Sequence, residues 1–275
     1  MLRQRVLSAA VLIPVLLLAI WFGAPWFTLV LAVAALLGIV EFYAMAGHTK
    51  LQPLTVFGTL WVLFFILNAH YAHSYSSETV RALVTLALVI SAVSLSLLCS
   101  ILLRTARESA FASWTWSLVG VLYLGWLLSY WILLRNSSDW VGRDWVLLAL
   151  FSTFAVDTMA YFVGRVWGRR KLAPAISPGK TWEGAVGGLV GAIGAVVILA
   201  QILDIEVGYA KLLFLGVLIG LFAQLGDLAE SKLKRVAGVK EASNLIPGHG
   251  GILDRLDSVV FTGVLVYYCL KWFIV

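Results

Sequence analysis

Long apolar stretches alternate with short polar ones along almost the whole chain. Nine of these stretches are close to the roughly 20 residues that an α-helix needs to cross the hydrocarbon core of a bilayer. They cover residues 6–23, 27–46, 54–72, 82–103, 117–134, 145–164, 185–203, 210–227 and 258–274. The pattern therefore predicts an all-α, polytopic membrane protein with about nine transmembrane helices.

The composition supports this class. Hydrophobic residues make up 61% of the chain, charged residues 12%, and the mean hydropathy is +0.96, which is far from an ordinary soluble domain. Cys99 and Cys269 both fall within predicted spans, so the sequence offers neither a disulfide framework nor a cysteine-based metal site. The first apolar run follows MLRQR, but it is long and no small-residue cleavage site stands out, so we expect a retained helix.

The distribution of basic residues predicts the orientation. With the N-terminus in the cytoplasm, fifteen of the 20 basic residues fall on the cytoplasmic side and five on the other. We therefore expect an N-in, C-out protein of a bacterial-type inner (cytoplasmic) membrane, with its active site facing the cytoplasm. The formal net charge of +6 is then concentrated where anionic lipid head groups and nucleotides are found.

The chain divides into two parts of different character. Residues 1–140 carry almost no charge inside the predicted spans, which is typical of scaffold helices that contact lipid or a second copy of the chain. Residues 141–275 carry most of the acids and the predicted cytoplasmic loops 165–181 and 228–257, so we expect the catalytic helices there. Glu41 is an early exception, and an acid inside a span is a functional candidate. It lies near the cytoplasmic end of the second span, where it can reach the interface, so we favour a structural or helix-contact role over a functional one.

Asp157 is an acid within the sixth predicted span, in AVDTMAYFVGR. At the rise of an α-helix it would lie roughly 10 Å deep, where a carboxylate needs a partner or a polar cavity. Asp157, Tyr161 and Arg165 follow one another at i, i+4 and i+8, which places them on one helix face. Asp157 therefore either lines a functional cavity or makes a bond between helices.

The loop that follows reads GRRKLAPAISPGKTWEG. Ser177 and Lys180 come just before the seventh predicted helix, where free backbone N–H groups and the positive end of the helix dipole favour an anion. Phosphate binding is a natural use of such a loop. Thr181 and Glu183 also fit ordinary helix capping, so this loop alone is a weak indication.

The most polar segment reads GDLAESKLKRVAGVKEASNLIPGHGGILDRLDS and ends at Ser258. Asp227, Ser231 and either Lys234 or Arg235 can share a helix face. Carboxylate, hydroxyl and water oxygens suit Mg²⁺, which uses one or two carboxylates together with substrate phosphates. A segment with one histidine and no cysteine does not offer the usual ligands of zinc.

The same residues carry a resemblance to a known family. The run SKLKR, then Lys240 and HGGILDRLD at their spacing, resembles the signature of the CDP-diglyceride synthetase family, also called phosphatidate cytidylyltransferase. DTMAYFVGR, SPGKTWEG and GDLAES resemble the same family, so the similarity covers at least residues 157–258. The family usually has Lys-Asp where this chain has Lys240-Glu241, and we assign no metal or catalytic role to Glu241.

The resemblance implies a reaction in which CTP and phosphatidic acid give CDP-diacylglycerol and pyrophosphate in the cytoplasmic leaflet, with Mg²⁺. It implies that Asp227 and Asp254 bind the metal and that Ser231 lies close to it. Members of the family are thought to use a second, monovalent cation such as K⁺, which the sequence neither demands nor excludes. A homodimer among membrane lipids is expected, and no nucleic-acid partner.

The resemblance also suggests roles for the other polar residues. His249 would hydrogen-bond a phosphate or the leaving group, with a structural role in its loop as the alternative. Gly250 and Gly251 would let the backbone approach the nucleotide, and Asp257 would orient Arg255 or the waters of the metal. The residues expected to bind phosphates or to line the substrate site are Lys180, Lys234, Arg235, Arg255, Ser177, Glu183 and Asp157.

Two other classes of protein remain open from the residues alone. An ion-coupled transporter would also place acids in a helical bundle, but it favours broken helices at the bilayer midplane in repeated halves, and this chain has no apparent inverted repeat. An intramembrane prenyl transferase would repeat an aspartate-rich helical motif, whereas this chain has a single DRLD cluster. Dependence on CTP separates the three classes.

Overall fold

The computed structural model describes residues 2–49, 51–103, 110–137, 139–243, 245–246 and 250–274. The described chain is predominantly helical. Eight of its helices or helical runs are long and apolar enough to cross a membrane, and Ser8–Phe22 is a shorter apolar helix. This confirms a polytopic helical membrane protein, while the total of nine spans and the N-in orientation stay predictions. The eight are Trp26–Met45, Thr55–Ser74, Glu78–Leu102, Ala110–Arg135, Val141–Trp167, Trp182–Ile202, Tyr209–Val236 and Leu253–Ile274.

The chain forms two compact units. The first comprises Met1–Asn136 and Val236–Asp254, and the second comprises Ser137–Arg235 and Arg255–Val275. The predicted division at residue 140 into scaffold and catalytic helices stays a prediction. The segment Val236–Asp254, which the sequence analysis placed in the catalytic half, groups with the first unit.

Helices of the first unit follow the predicted apolar runs. They are α1 (Leu2–Phe22), α2 (Trp26–Met45), α3 (Thr55–His70), α4 (Glu78–Leu103), α5 (Ala110–Gly120) and α6 (Leu128–Arg135), with 3₁₀ turns at Ala46–His48 and Tyr71–Ser74. A π-helical stretch, Val121–Leu127, joins α5 to α6 and makes them one continuous helical run.

Arg135 binds the C-terminal end of α1. It is 7% exposed, and its guanidinium donates to the carbonyl oxygens of Ile20 at 2.7 Å and Trp21 at 3.2 Å. These carbonyls belong to the last turn of α1, which has no further helical N–H to accept from. Gly23 follows with a φ of +71°, and a Cβ there would lie 2.7 Å from the Arg135 guanidinium. A buried basic residue thus terminates α1 where the chain turns.

The second unit contains the remaining long helices and a small hairpin. Its elements are α7 (Asp139–Trp167), β1 (Lys171–Ala173), β2 (Ser177–Thr181), α8 (Trp182–Ile202), α9 (Tyr209–Val236) and α11 (Val259–Cys269), followed by a π-helical turn, Leu270–Ile274. A short helix, α10 (Leu253–Leu256), begins in the first unit and ends in the second.

Glycines allow α7 and α8 to pack closely. A Cβ at Gly184 would lie 2.7 Å from the carbonyl oxygen of Ala160, and one at Gly187 would lie 2.6 Å from Val163. Small residues permit such backbone approach between membrane helices, where dispersion contacts replace the hydrophobic driving force. The tight pair fixes the position of the hairpin that connects the two helices.

The structure departs from a purely helical chain at this connection. β1 and β2 pair antiparallel within the predicted loop. Pro174 and Pro178 disfavour a helix in this segment. The helix α9 continues nine residues past the end of its apolar run at residue 227, as the helix face predicted for Asp227, Ser231 and Lys234 or Arg235 requires. An ion pair between Glu230 and Lys234, at positions i and i+4, supports that polar extension.

Candidate active site

The hairpin presents Lys180 at the start of α8. Lys171 pairs with Thr181 and Ala173 with Ser177 across the two strands. Thr181 ends β2 and caps α8, since its Oγ1 accepts from Gly184 N at 3.1 Å. Helix capping by Thr181, one of the interpretations that the sequence permits, is thus confirmed.

Glu183 lies in the first turn of α8. Its carboxylate accepts from the backbone N–H of Arg169 at 3.0 Å and of Arg170 at 3.2 Å. Glu183 thus ties the chain before β1 to the helix after β2. Its predicted contact with substrate stays a prediction.

Lys180 contacts Asp227, and this is the central ion pair of the second unit. Lys180 Nζ lies 2.7 Å from Asp227 Oδ2, with the two side chains 23% and 27% exposed. Ser231 Oγ, one turn along α9, donates to Asp227 Oδ1 at 3.4 Å. The predicted shared face of Asp227 and Ser231 is confirmed.

Arg235 makes a second connection between α9 and the hairpin. Its Nε donates to the carbonyl oxygen of Ile176 at 3.1 Å, in the turn between the strands. Asp227 and Arg235 are two helical turns apart, so α9 holds the hairpin at two points. The position of the Lys180 ammonium is therefore fixed by α9 as well as by α8.

Asp157 and Asp257 lie on either side of Ser258. The Ser258 amide donates to Asp257 Oδ1 at 2.7 Å, and its hydroxyl lies 3.4 Å from Asp157 Oδ1. Ser258 is 2% exposed. On α7, Arg165 Nη1 donates to Tyr161 OH at 2.7 Å, which confirms the predicted face for these two residues.

Carboxylates and cationic side chains lie close enough in this part of the second unit to interact electrostatically. The carboxylates of Asp157, Asp227 and Asp257 repel one another, while cationic side chains offset part of that repulsion. The cations concerned are Lys180, Lys234 and Arg255. We call the set Asp157, Lys180, Asp227, Ser231, Asp257 and Ser258 the charged cluster. Such a mixture of oxygen ligands and cations suits a hard metal ion together with phosphates.

The charged cluster fits magnesium by its chemistry, although it forms no closed cage. Within the described ranges, no group of three or more His, Cys, Asp or Glu side chains is arranged to hold a metal ion. Mg²⁺ needs few protein ligands, because it retains waters and takes oxygens from substrate phosphates. The accessible Asp227 carboxylate, with the Ser231 hydroxyl beside it, is of the right type.

Glu230 is a polar residue of α9 that the sequence analysis gave no role. It is 1% exposed, and its Oε2 lies 2.7 Å from Lys234 Nζ. The spacing of four residues places both side chains on one helix face, so the sequence could have predicted this ion pair. Lys234 keeps its predicted role in phosphate binding as a prediction, and its ammonium is oriented by Glu230.

Residues 242–254 belong to the first unit, and the Asp254 carboxylate binds backbone amides from two described parts of this segment. Asp254 Oδ2 accepts from the amides of Gly251 at 2.9 Å and Ala242 at 3.1 Å. Gly250 has a φ of +81°, which favours glycine, and its carbonyl accepts from Ile246 N at 2.8 Å. His249 lies outside the described residues, and the roles proposed for Asp254, Gly250 and Gly251 toward substrate stay predictions.

An open groove lies beside the start of α8. It has a volume of about 560 Å³ and is lined by Arg169, Arg170, Trp182, Glu183 and Val186. Trp182 and Val186, one turn apart on α8, are both more than half exposed. The groove thus combines guanidinium groups with an apolar helix face, a combination suited to the head of an anionic amphiphile.

Fold and site together define a class: a polytopic membrane protein with a charged cluster suited to phosphate-bearing ligands. The sequence model of the cytidylyltransferase family matches residues 3–273, and the chain belongs to that family. It is accordingly a nucleotidyltransferase that uses CTP.

Relatives of similar length agree with this assignment. The chain is 32% identical over 276 residues to the phosphatidate cytidylyltransferase of Bacillus subtilis (strain 168), covering 98% of each protein. It is 36% identical over 293 residues to the phosphatidate cytidylyltransferase of Haemophilus influenzae, covering 100% of each. A third relative of the same name, from Synechocystis, is 33% identical over 96% of this chain and 95% of its own length.

Proposed function

We propose that this protein joins CTP to phosphatidic acid, giving CDP-diacylglycerol and pyrophosphate. The observation that carries the proposal is the Lys180–Asp227 pair, a cation and a potential metal ligand 2.7 Å apart in a chain of the cytidylyltransferase family. Relatives named phosphatidate cytidylyltransferase, matched over nearly their whole lengths, favour phosphatidic acid as the acceptor.

In the proposed reaction the lipid phosphate is the nucleophile. One of its oxygens attacks the α-phosphorus of CTP, and the bond from that phosphorus to the oxygen bridging the α- and β-phosphates breaks. The electron pair leaves with pyrophosphate. No covalent intermediate with the protein is needed, so the protein contributes alignment and charge neutralisation.

Cationic side chains of the second unit would neutralise the phosphates. Lys180 supplies a point charge on the hairpin, and Lys234 supplies another on α9. Arg235 and Arg255 carry guanidinium forks, which match phosphate oxygens in a bidentate manner. Arg235 would share its donors between the Ile176 carbonyl and substrate.

Magnesium would be held by Asp227, with Ser231 beside it and Asp254 as the further ligand that the family resemblance implies. A bound Mg²⁺ supplies charge neutralisation and orientation of the CTP phosphates. Asp157 and Asp257 would add negative charge around the ion rather than replace its waters. A second, monovalent cation such as K⁺ belongs to the same proposal.

We also propose a place and an assembly for the enzyme. The bias of fifteen basic residues to five favours a cytoplasmic-facing site in an inner membrane, where CTP is present. The groove of Arg169, Arg170 and Trp182 would receive the phosphate of a lipid whose chains lie along α8. A homodimer is expected from the family resemblance.

The reaction is tested by following each phosphate of CTP. Purified protein in mixed micelles is given phosphatidic acid, Mg²⁺ and CTP labelled at either the α- or the γ-phosphate. The α-label should enter a chloroform-soluble lipid and the γ-label should leave as pyrophosphate. Lipid labelled from the γ-position, or no labelled lipid from well-folded protein, would contradict the proposal, and the second result would point to a different acceptor for the cytidylyl group.

A further inference from the structure

Glu41 is a buried acid of α2 that the proposed reaction does not use. It is 6% exposed. Its Oε1 accepts from Ser243 Oγ at 2.5 Å and from Ile252 N at 3.1 Å, and its Oε2 accepts from Leu253 N at 2.9 Å. A carboxylate removed from water is costly, and these donors compensate for the loss of hydration. These hydrogen bonds are the kind of structural contact predicted for Glu41, and its partners show which backbone it supports.

All three donors come from one segment, residues 243–253, about two hundred positions later in the chain. Gly251 lies between them. A Cβ at Gly251 would be 2.5 Å from Glu41 Oε2, so any larger residue would require the Glu41 carboxylate to shift. The close approach of Glu41 to this backbone thus depends on glycine at position 251.

The consecutive amides of residues 251–253 are divided between two carboxylates. Gly251 N donates to Asp254, whereas Ile252 N and Leu253 N donate to Glu41. Asp254 also accepts from Ala242 N at the beginning of the segment. Glu41 and Asp254 together therefore fix the backbone on both sides of Gly251.

We propose that Glu41 is a positioning residue that holds residues 242–243 and 250–254 in the conformation needed for catalysis. It acts through Asp254 and the neighbouring backbone rather than by touching substrate. The inference rests on the proposed function, because that function gives Asp254 its role at the metal. A carboxylate suits this task, since both of its oxygens accept and all of the observed partners donate.

Substitution by glutamine isolates this property. Glu41→Gln preserves the size of the side chain but replaces one acceptor oxygen with an NH₂ group that faces a donor. We expect kcat per folded molecule to fall about 10²-fold, as for a misplacement of about 1 Å, with little change in the KM for CTP. Glu41→Asp keeps both acceptors on a shorter side chain and should recover part of the lost kcat. Glu78→Gln, the same change at an exposed acid of the first unit, is the matched control and should behave as the wild type.

A second measurement does not depend on activity. Lys240 is exposed and lies two residues before Ala242, so limited trypsin digestion after Lys240 reports how firmly the following residues are held. Glu41→Gln should speed this cleavage several-fold while the thermal unfolding temperature stays near that of the wild type. Wild-type kcat with wild-type cleavage would overturn the proposal, and so would a fall in the unfolding temperature with unchanged kcat per folded molecule. If the wild type made no CDP-diacylglycerol, the proposed function would fail. Comparing the rate of trypsin cleavage in the wild type and in Glu41→Gln would still decide whether Glu41 holds these residues.

Discussion

Gly226 tests how closely α9 must approach Asp257 and the first residues of α11. A Cβ at this position would lie 2.5 Å from the carbonyl oxygen of Asp257 and 2.9 Å from a ring carbon of Phe261. Ordinary contact begins at 3.4 Å, so Gly226→Ala must move backbone against backbone by about 0.9 Å. Asp227 is the next residue, and the shift would therefore displace it relative to Asp257 within the charged cluster.

A displacement of about 1 Å at a reacting site costs on the order of 10²-fold in rate. We therefore expect Gly226→Ala to lower kcat for CDP-diacylglycerol synthesis by about 10²-fold, measured by steady-state kinetics with labelled CTP. The control is Gly194→Ala in α8, where nothing lies within 4 Å of the new Cβ. That change should leave kcat unaltered and stabilise the helix by up to ~1 kcal/mol. A Gly226→Ala enzyme with wild-type kcat would refute the reasoning, because the close approach would then have no catalytic consequence.

Three further predictions concern stability and the metal. Lys234→Met should lower the free energy of unfolding by about 3–5 kcal/mol, because it removes the ion-pair partner of the buried Glu230. Adding Glu230→Gln should restore most of this loss. Equal stability of the single and double variants would count against the ion pair. Thr181→Ala should lower the free energy of unfolding by about 1 kcal/mol through loss of the cap of α8, whereas Thr181→Ser should retain the cap. The stability of both variants is measured by thermal unfolding in detergent. An equal loss of stability in the two variants would argue against capping. Removal of divalent cations by a chelator should abolish synthesis and Mg²⁺ should restore it, so activity that survives exhaustive chelation would contradict a metal-dependent reaction.

The membrane architecture could be predicted from the sequence because it depends on local properties. Length and hydropathy of a run decide whether it can span a bilayer, and the spans from Trp26 onward lie within a few residues of the predicted runs at most of their ends. The hairpin of residues 171–181 could not be predicted in this way, since its pairing depends on the two helices that bring its ends together. Hydropathy falls after residue 227, so the end of α9 at Val236 could not be predicted from hydropathy alone. The spacing of Asp227, Ser231 and Lys234 or Arg235 predicted the helix there, and α9 reaches Val236.

The candidate site was predictable as a set of residues but not as a set of contacts. Helical periodicity placed Ser231 beside Asp227, one turn apart. It could not place Lys180 against Asp227, because these residues come from a hairpin and a distant helix. Glu41 was recognised as an isolated acid, but its partners more than two hundred residues away are joined to it only by tertiary packing.

The central claim is that Asp227 serves CTP-dependent synthesis of CDP-diacylglycerol. Its most direct test compares the wild type with Asp227→Asn, at saturating phosphatidic acid, CTP and Mg²⁺. Asp204→Asn is the matched control, because Asp204 is an exposed acid of the same unit with a φ of 51° that asparagine also tolerates. We predict CDP-diacylglycerol and pyrophosphate in equal amounts from the wild type and from Asp204→Asn, and a rate at least about 10²-fold lower from Asp227→Asn. An Asp227→Asn enzyme that works at the wild-type rate, or a folded wild type that makes no CDP-diacylglycerol, would contradict the account.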